Sequence, residues 1–252
     1  MWRNYATVAL RSLAKNRTYA IINIVGLAIG IAACLLILLY VRDQTSFDRF
    51  VGEHERVFQL QSTNTDTETG AKEVIQVSPY VVVRALAKDF AAVEQFAFTQ
   101  NDQPVIRDRN GEPVQRTITV VEPDFFSIFQ IPFLRGNGTA ALRDPNSVAI
   151  SRKTAETMFG TVDAVGRTVT TLSGGGSRDY RVSAVFEDLP KTSHQAFGMV
   201  RRLVEGEDVQ PGQSDAWGWF SGAAYVKLKP GADVDGINAR LHDWNERVAP
   251  RN

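Results

Sequence analysis

The sequence predicts an α+β protein: one apolar N-terminal helix is followed by a domain with a mixed or antiparallel sheet, built either as one body or as two subdomains. Two observations predict this class. The stretch from Ile21 to Val41 holds twenty-one residues without a charged side chain. Beyond it, short segments of alternating apolar and polar residues interleave with a few segments of helical periodicity, which is the pattern of an α+β domain.

The composition excludes several classes of protein. The 252 residues carry 28 basic and 28 acidic side chains, and 44% of them are hydrophobic. A disordered chain needs lower hydrophobicity and a larger net charge. A neutral chain also lacks the global positive charge that favours nucleic acid, so we expect no nucleic-acid partner. Cys34 is the single cysteine, so no disulfide can form within the chain.

The neutral total conceals an uneven distribution of charge. Residues 1–41 contain four basic side chains and no acidic one, which leaves 24 basic and all 28 acidic groups for the rest of the chain. Basic residues that flank an apolar helix hold that end in the cytoplasm. We therefore expect a cytoplasmic N-terminus and an extracytoplasmic domain. The basic residues at the membrane flank are Arg3, Arg11, Lys15 and Arg17.

The uncharged stretch is long enough to cross a bilayer as a helix. Twenty-one residues span about 31 Å, close to the thickness of the hydrocarbon core. We divide the chain into a cytoplasmic basic amphipathic segment at 1–18, a transmembrane helix at 19–41 and an extracytoplasmic domain at 42–252. A cleaved signal peptide has a shorter apolar core. A lipoprotein signal ending at Cys34 and a buried helix of a soluble protein are two further alternatives.

Small residues recur on one face of the predicted helix. Gly26 and Gly30 are four residues apart, and Cys34 continues the spacing. Glycine at this spacing allows another helix to approach closely within a membrane, so these three residues are candidates for helix packing. Glycine is also common in membrane helices for other reasons. Likewise, the segment at 1–18 fits an ordinary basic flank as well as an amphipathic helix on the membrane surface.

The rest of the chain predicts the following elements. Alternation and turn residues indicate strands at 57–61, 73–77, 95–99, 105–107, 114–121, 147–151, 165–172, 180–186 and 226–228. Helical spacing indicates helices at 79–90, 123–129, 153–159 and 233–248. Asn110-Gly111 marks a hairpin turn. Gly160 ends the third of these helices, and Asp233 caps the last.

No arrangement of side chains predicts catalysis or a metal site. His54, His194 and His242 lie far apart in sequence and lack the spacing of metal ligands. The triple glycine at 174–176 is not followed by Gly-Lys-Ser/Thr, so it predicts a hairpin turn and not a nucleotide-binding loop. We therefore expect no enzymatic activity, no bound cofactor and no metal.

Aromatic residues cluster near the C-terminus. Trp217, Trp219, Phe220 and Tyr225 lie in a glycine-rich stretch. Such a cluster is more often the core of a subdomain or an interface than a platform for a ligand.

Four blocks of residues carry a resemblance to one family. They are the N-terminal run from Asn4 to Phe50, Val121-Glu122-Pro123-Asp124-Phe125-Phe126 with Leu134-Arg135-Gly136, Met158-Phe159-Gly160 with the stretch from Tyr180 to Pro190, and Tyr225 to Ala232. In this order they are similar to the MacB/FtsX-like permease subunits of bacterial ABC transporters, with their MacB-like periplasmic core domain.

The resemblance implies a non-catalytic subunit of the bacterial inner membrane. Such permeases couple ATP hydrolysis by a partner ATPase to the motion of a periplasmic domain for export or extrusion. The implied partners are the lipid bilayer, an ABC-type ATPase, a second permease chain in a homo- or heterodimer, and possibly a periplasmic adaptor. ATP is expected only on the ATPase. The alternative is a single-span, membrane-anchored binding or sensor module that acts without an ATPase.

The sequence departs from the family in one respect. Such permeases carry three further spanning helices after the periplasmic domain, and no stretch after Val41 is long or apolar enough to span a bilayer. We expect either a shortened form of a longer permease or a natural single-span variant.

Overall fold

A single mixed sheet organises the part of the chain that follows the apolar helix. The computed structural model describes residues 5, 11, 15, 17–44, 51–65, 69–173, 176–190, 193 and 197–249. Two compact units are distinguished, residues 1–47 and residues 48–252. The second unit contains the sheet and every strand described here.

The helices are short except for the first. They are α1 (Arg17–Gln44), α2 (Tyr80–Asp89), α3 (Phe125–Phe129), α4 (Gly138–Ala141), α5 (Arg152–Phe159) and α6 (Val234–Val248). The strands are β1 (Val57–Gln59), β2 (Ser62–Thr65), β3 (Lys72–Ile75), β4 (Ser78–Pro79), β5 (Val93–Asp102), β6 (Val105–Arg107), β7 (Pro113–Gln115), β8 (Ile118–Val121), β9 (Phe133–Arg135), β10 (Ser147–Ser151), β11 (Thr168–Ser173), β12 (Gly176–Phe186), β13 (Met199–Arg202) and β14 (Phe220–Leu228).

The sheet is mixed, as the sequence predicts. Its strands lie in the order β1-β14-β5-β8-β13-β10-β12-β11-β6-β7, with β4 beside β14 and β9 beside β12. β8 runs parallel to β13 and β10 runs parallel to β12, while the other pairs are antiparallel. β2 and β3 form a separate hairpin. Every residue of β8 and β10 is buried, and most of their side chains are apolar, as expected of strands covered on both faces.

Three clusters of buried side chains cover the sheet. The first surrounds the aromatic residues of α3, where Phe125 contacts Phe126, Phe129 and Phe197. The second packs α2 and α6 onto β5 and β14. The third lies beneath α5. The two possible subdomains of the sequence analysis are therefore regions of one unit.

Local signals set the ends of two helices. At α5, Ser151 Oγ accepts a hydrogen bond from Thr154 N, and Gly160 ends the helix with a φ of 70°, which L side chains rarely adopt. At α6, Asp233 accepts from Gly236 N at 2.9 Å, as predicted. Trp244 on the same helix is buried, and its Nε1 donates to Asp89 Oδ2.

The predicted strand at 114–121 is wrong as a single strand, because the chain changes partners there. β7 pairs with β6, whereas β8 pairs with β5 and β13. Between them Arg116 N donates to Pro104 O, and the chain leaves one ladder for the other. The predicted hairpin over residues 165–186 is formed by β11 and β12, and its tip at 174–175 lies outside the described residues.

Close packing at Gly222 yields a stability prediction. A Cβ at this position in β14 would lie 2.2 Å from Thr99 O and 2.6 Å from the Phe98 ring. We expect Gly222→Ala to destabilise the domain by about 2–3 kcal/mol or more, because a backbone carbonyl must move. Thermal unfolding of the full chain in detergent measures this effect.

Gly218→Ala is the matched control, since nothing lies within 4 Å of a Cβ there. It should change stability by no more than about 0.5 kcal/mol. Equal unfolding temperatures for the two variants would contradict the described packing of β14.

Candidate functional site

The predicted helix-packing residues lie on α1. None of the residues of this helix is buried, and a Cβ at Gly26 or Gly30 would meet nothing within 4 Å. Cys34 is exposed and has a free thiol. The three residues are spaced by four and therefore share one face. Their role in helix packing stays a prediction.

The basic flank is described only in part. Arg11 and Lys15 are helical and exposed, and Arg17 begins α1. Arg3 and most of the segment at 1–18 lie outside the described residues.

By length and composition α1 is able to cross a membrane, because its 28 residues extend over about 42 Å and its central stretch carries no charge.

The first residues described after α1 pack tightly onto the sheet. Val51 is buried in the aromatic cluster around α3. At Gly52 a Cβ would lie 2.0 Å from Gln130 Oε1, so the side chain of Gln130 would have to move to admit a larger residue. Glu53 has a φ of 54°, which is uncommon for a residue other than glycine. Residues His54–Arg56 then form a 3-10 turn that leads directly into β1.

A buried lysine fixes this segment to the sheet. Lys227 lies on β14 opposite Val57 of β1 and is 5% exposed. Its Nζ lies 2.5 Å from Glu53 Oε2. An ammonium group removed from water is costly unless it is paired. Glu53 therefore stabilises Lys227, and Lys227 determines where the segment after α1 attaches.

Arg56 completes the attachment. Its Nε donates to Leu228 O at 2.8 Å, and its terminal nitrogens contact Glu53 and Glu94. The hydrogen bond from Lys227 is the main cause that holds the pKa of Glu53 below its ordinary value of 4.5. We call Glu53, Arg56, Glu94 and Lys227 the anchor. It joins the segment after α1, β5 and β14 by charge and by hydrogen bonds.

The sequence matches one known protein family over most of its length. The MacB-like periplasmic core domain matches residues 20–243. The chain belongs to this family. Membership indicates the periplasmic domain of an ABC-type transporter permease, here preceded by one apolar helix.

Two solved structures share the fold of this MacB-like domain. A domain of a protein described as a permease, from Porphyromonas gingivalis, is 22% identical with a TM-score of 0.64, over 78% of this chain and 83% of that one. The periplasmic region of MacB from Actinobacillus actinomycetemcomitans is 12% identical with a TM-score of 0.55, over 81% of this chain and 88% of that one. No curated protein sequence matches the chain closely enough for comparison.

A second buried ion pair lies within the MacB-like domain. Arg201 on β13 is 5% exposed, and its Nη1 and Nη2 lie 2.8 and 2.5 Å from the carboxylate of Asp208. The same carboxylate accepts a hydrogen bond from Val204 N. This pair holds the segment at 203–209 against the sheet. It is a structural contact between a strand and the segment that follows it.

A cleft beside α5 is open to solvent. It encloses about 210 Å³ between α5, Gly198 and the connection from β7 to β8. Its polar side chains include Arg116, Lys153 and Thr157, all of them exposed.

Within the described part of the chain, no three His, Cys, Asp or Glu side chains are grouped to hold a metal ion. His194 lies outside the described residues, and His242 faces Glu246 at 3.6 Å.

The aromatic cluster of the sequence analysis divides between two environments. Trp217 packs against Trp244 in the second core cluster, whereas Tyr225 is buried beside Phe129 in the first. Trp219 and Phe220 are about half exposed. The four rings therefore do not form one ligand platform.

The sequence analysis missed the anchor, although one signal was present. Lys227 stands between Val226 and Leu228 in a strand whose last five residues are all buried. A lysine within a buried strand needs an acidic partner. The sequence does not identify that partner, because Glu53 lies 174 residues away.

The anchor yields a prediction with a defined pH dependence. Glu53→Gln removes the charge that faces Lys227, so we expect the melting temperature at pH 7 to fall by about 2–4 °C or more. The pKa of Glu53 is lowered in the folded state. Its stabilising effect is therefore present above its ordinary pKa and is lost as the pH falls through the lowered value. Thermal unfolding across pH measures the difference from wild type.

Glu55→Gln is the control, because Glu55 is exposed on the same turn. It should leave the melting temperature unchanged. A deficit in Glu53→Gln that stays equal between pH 7 and about pH 3 would show that the anchor is not electrostatic.

Proposed function

We propose that this chain is a non-catalytic permease subunit, or a shortened form of one, that couples ATP hydrolysis by a partner ATPase to the motion of its periplasmic domain for export or extrusion. Family membership supports this proposal, and the anchor is the observation that carries it further. A coupling subunit needs the part of its domain that receives force to be held firmly on the sheet. The segment at 51–56 is held on β14 by the ion pair between Glu53 and the buried Lys227.

The sheet is suited to receive force at this point. β14 lies between β1 and β5 and pairs with β1 over residues 225–227 and with β5 over residues 223–228. The anchor contacts all three elements, because Arg56 reaches Glu94 on β5 and Leu228 on β14. A displacement applied at Glu53 therefore reaches the sheet through charge pairs and backbone hydrogen bonds.

The proposal includes an orientation and a set of partners. In this proposal the N-terminus lies on the cytoplasmic side of a bacterial inner membrane, which the basic flank favours. An ABC-type ATPase binds ATP on the same side. The face of Gly26, Gly30 and Cys34 packs against a second permease chain. The periplasmic domain contacts an adaptor or the exported molecule. This chain itself holds no cofactor in the proposed mechanism.

The test is purification of the tagged full chain from its native membranes in a mild detergent. We expect an ATPase that carries Gly-x-x-x-x-Gly-Lys-Ser/Thr to co-purify. We also expect trapping with ATP and vanadate to change the protease sensitivity of residues 57–228. Recovery of the chain without an ATPase would contradict the proposal and favour a membrane-anchored binding module.

The anchor is tested in the same preparation by the double variant Glu53→Gln/Lys227→Met. It removes both charges and keeps a long side chain buried at position 227. We expect the same amount of ATPase and the same rate of ATP hydrolysis, but no response of the domain to trapping. Lys229→Met, an exposed neighbour on the same segment, is the control and should respond as wild type does. A normal response in the double variant would exclude the anchor from coupling.

A further inference from the structure

One hydroxyl group lies between two carboxylates in the second core cluster. Tyr80 Oη is 2.8 Å from Glu122 Oε1 and 2.9 Å from Glu205 Oε1. The three residues come from separate parts of the chain. Tyr80 begins α2, Glu122 follows β8, and Glu205 lies in the segment at 203–209 after β13. The tyrosine is 1% exposed, so water does not separate these groups.

The two hydrogen bonds at Tyr80 Oη need two donated protons, and the tyrosine hydroxyl supplies only one. A phenol hydroxyl donates one hydrogen bond, and an ionised carboxylate only accepts. If both glutamates were ionised, Tyr80 could satisfy one of them, and the other would place a lone pair against the phenol oxygen. Both contacts are favourable when one glutamate is protonated. Its O–H then donates to Tyr80, and Tyr80 donates to the other carboxylate.

The surroundings determine which glutamate takes the proton. Glu205 is half exposed and forms an ion pair with Arg84 on α2, so its charge already has a partner. Glu122 is partly buried, and its backbone N–H is bonded to Phe98 O. Burial is the main cause that raises the pKa of Glu122, and the charges of Glu205 and Asp124 raise it further. The hydrogen bond from Tyr80 and the charge of Arg84 act in the opposite direction but do not cancel the increase.

We infer that Glu122, Tyr80 and Glu205 form a proton-dependent latch, which is closed when Glu122 is protonated and which releases the segment at 203–209 from α2 when Glu122 ionises. The closed latch is a continuous chain of hydrogen bonds from Glu122 through Tyr80 to Glu205 and Arg84. Ionisation of Glu122 breaks its first link, and the repulsion between two carboxylates is relieved by withdrawal of Glu205, the more exposed of the two.

The direction of the pH effect follows from the raised pKa. A carboxyl group whose pKa is raised in the closed state stabilises that state at low pH and stops doing so as the pH rises through the raised value. Opening of the segment at 203–209 as the pH rises therefore reports the latch.

Hydrogen exchange of the full chain in detergent tests the latch. The backbone N–H groups of Gly206, Glu207 and Asp208 are hydrogen-bonded within the segment and report its opening. We expect their protection, corrected for the intrinsic pH dependence of exchange, to fall as the pH rises above the ordinary pKa of 4.5 and through the raised pKa of Glu122. The fall should be about tenfold if the pKa of Glu122 differs by one unit between the closed and open states.

Three variants decide whether the effect comes from Glu122. In Glu122→Gln the amide donates to Tyr80 as the protonated acid does, so protection should be high and independent of pH. In Tyr80→Phe the bridge is absent, so protection should be low and independent of pH. Glu112→Gln, on the exposed hairpin between β6 and β7, should behave as wild type. Protection in wild type that does not change with pH, or an unaltered titration in Glu122→Gln, would overturn the latch.

Discussion

The absence of charge along most of α1 is the constraint on which the organisation of this chain depends. From Ile21 to Val41 there is no Asp, Glu, Lys or Arg, and no residue of the helix is buried. So much exposed apolar surface is stable only in a lipid environment or against another apolar helix. Charged residues are thereby confined to the two ends of α1. Nearly all the acidic residues belong to a separate unit, residues 48–252, which contains the sheet.

Within that unit, buried charges determine where irregular segments attach. Lys227 draws the segment after α1 onto β14, and Arg201 draws the segment at 203–209 onto β13. Glu122 adds a contact that requires a proton. Each of these groups is unfavourable alone and favourable with its partner, so each fixes one position of attachment among many. The apolar clusters supply most of the stability, whereas the ion pairs supply specificity.

The sequence predicted the elements that depend on local signals. The cap at Asp233, the turn at Gly160 and the buried face of α3 depend on neighbouring residues. It missed β13, whose Met199-Val200-Arg201-Arg202 places two cations where an apolar run would be expected. It also joined β7 to β8, because a change of strand partner leaves no local mark. The anchor and the latch were missed for the same reason, since their members meet only after the sheet has formed.

The central claim is that α1 crosses a membrane and leaves the MacB-like domain outside the cytoplasm. Labelling with a membrane-impermeant maleimide tests it most directly. Single cysteines are introduced at the exposed positions Arg11 and Glu73 in a Cys34→Ala background. In intact spheroplasts the account predicts labelling of Glu73→Cys, and labelling of Arg11→Cys only after the membrane is permeabilised. The reverse pattern, or protection of both cysteines until permeabilisation, would contradict it.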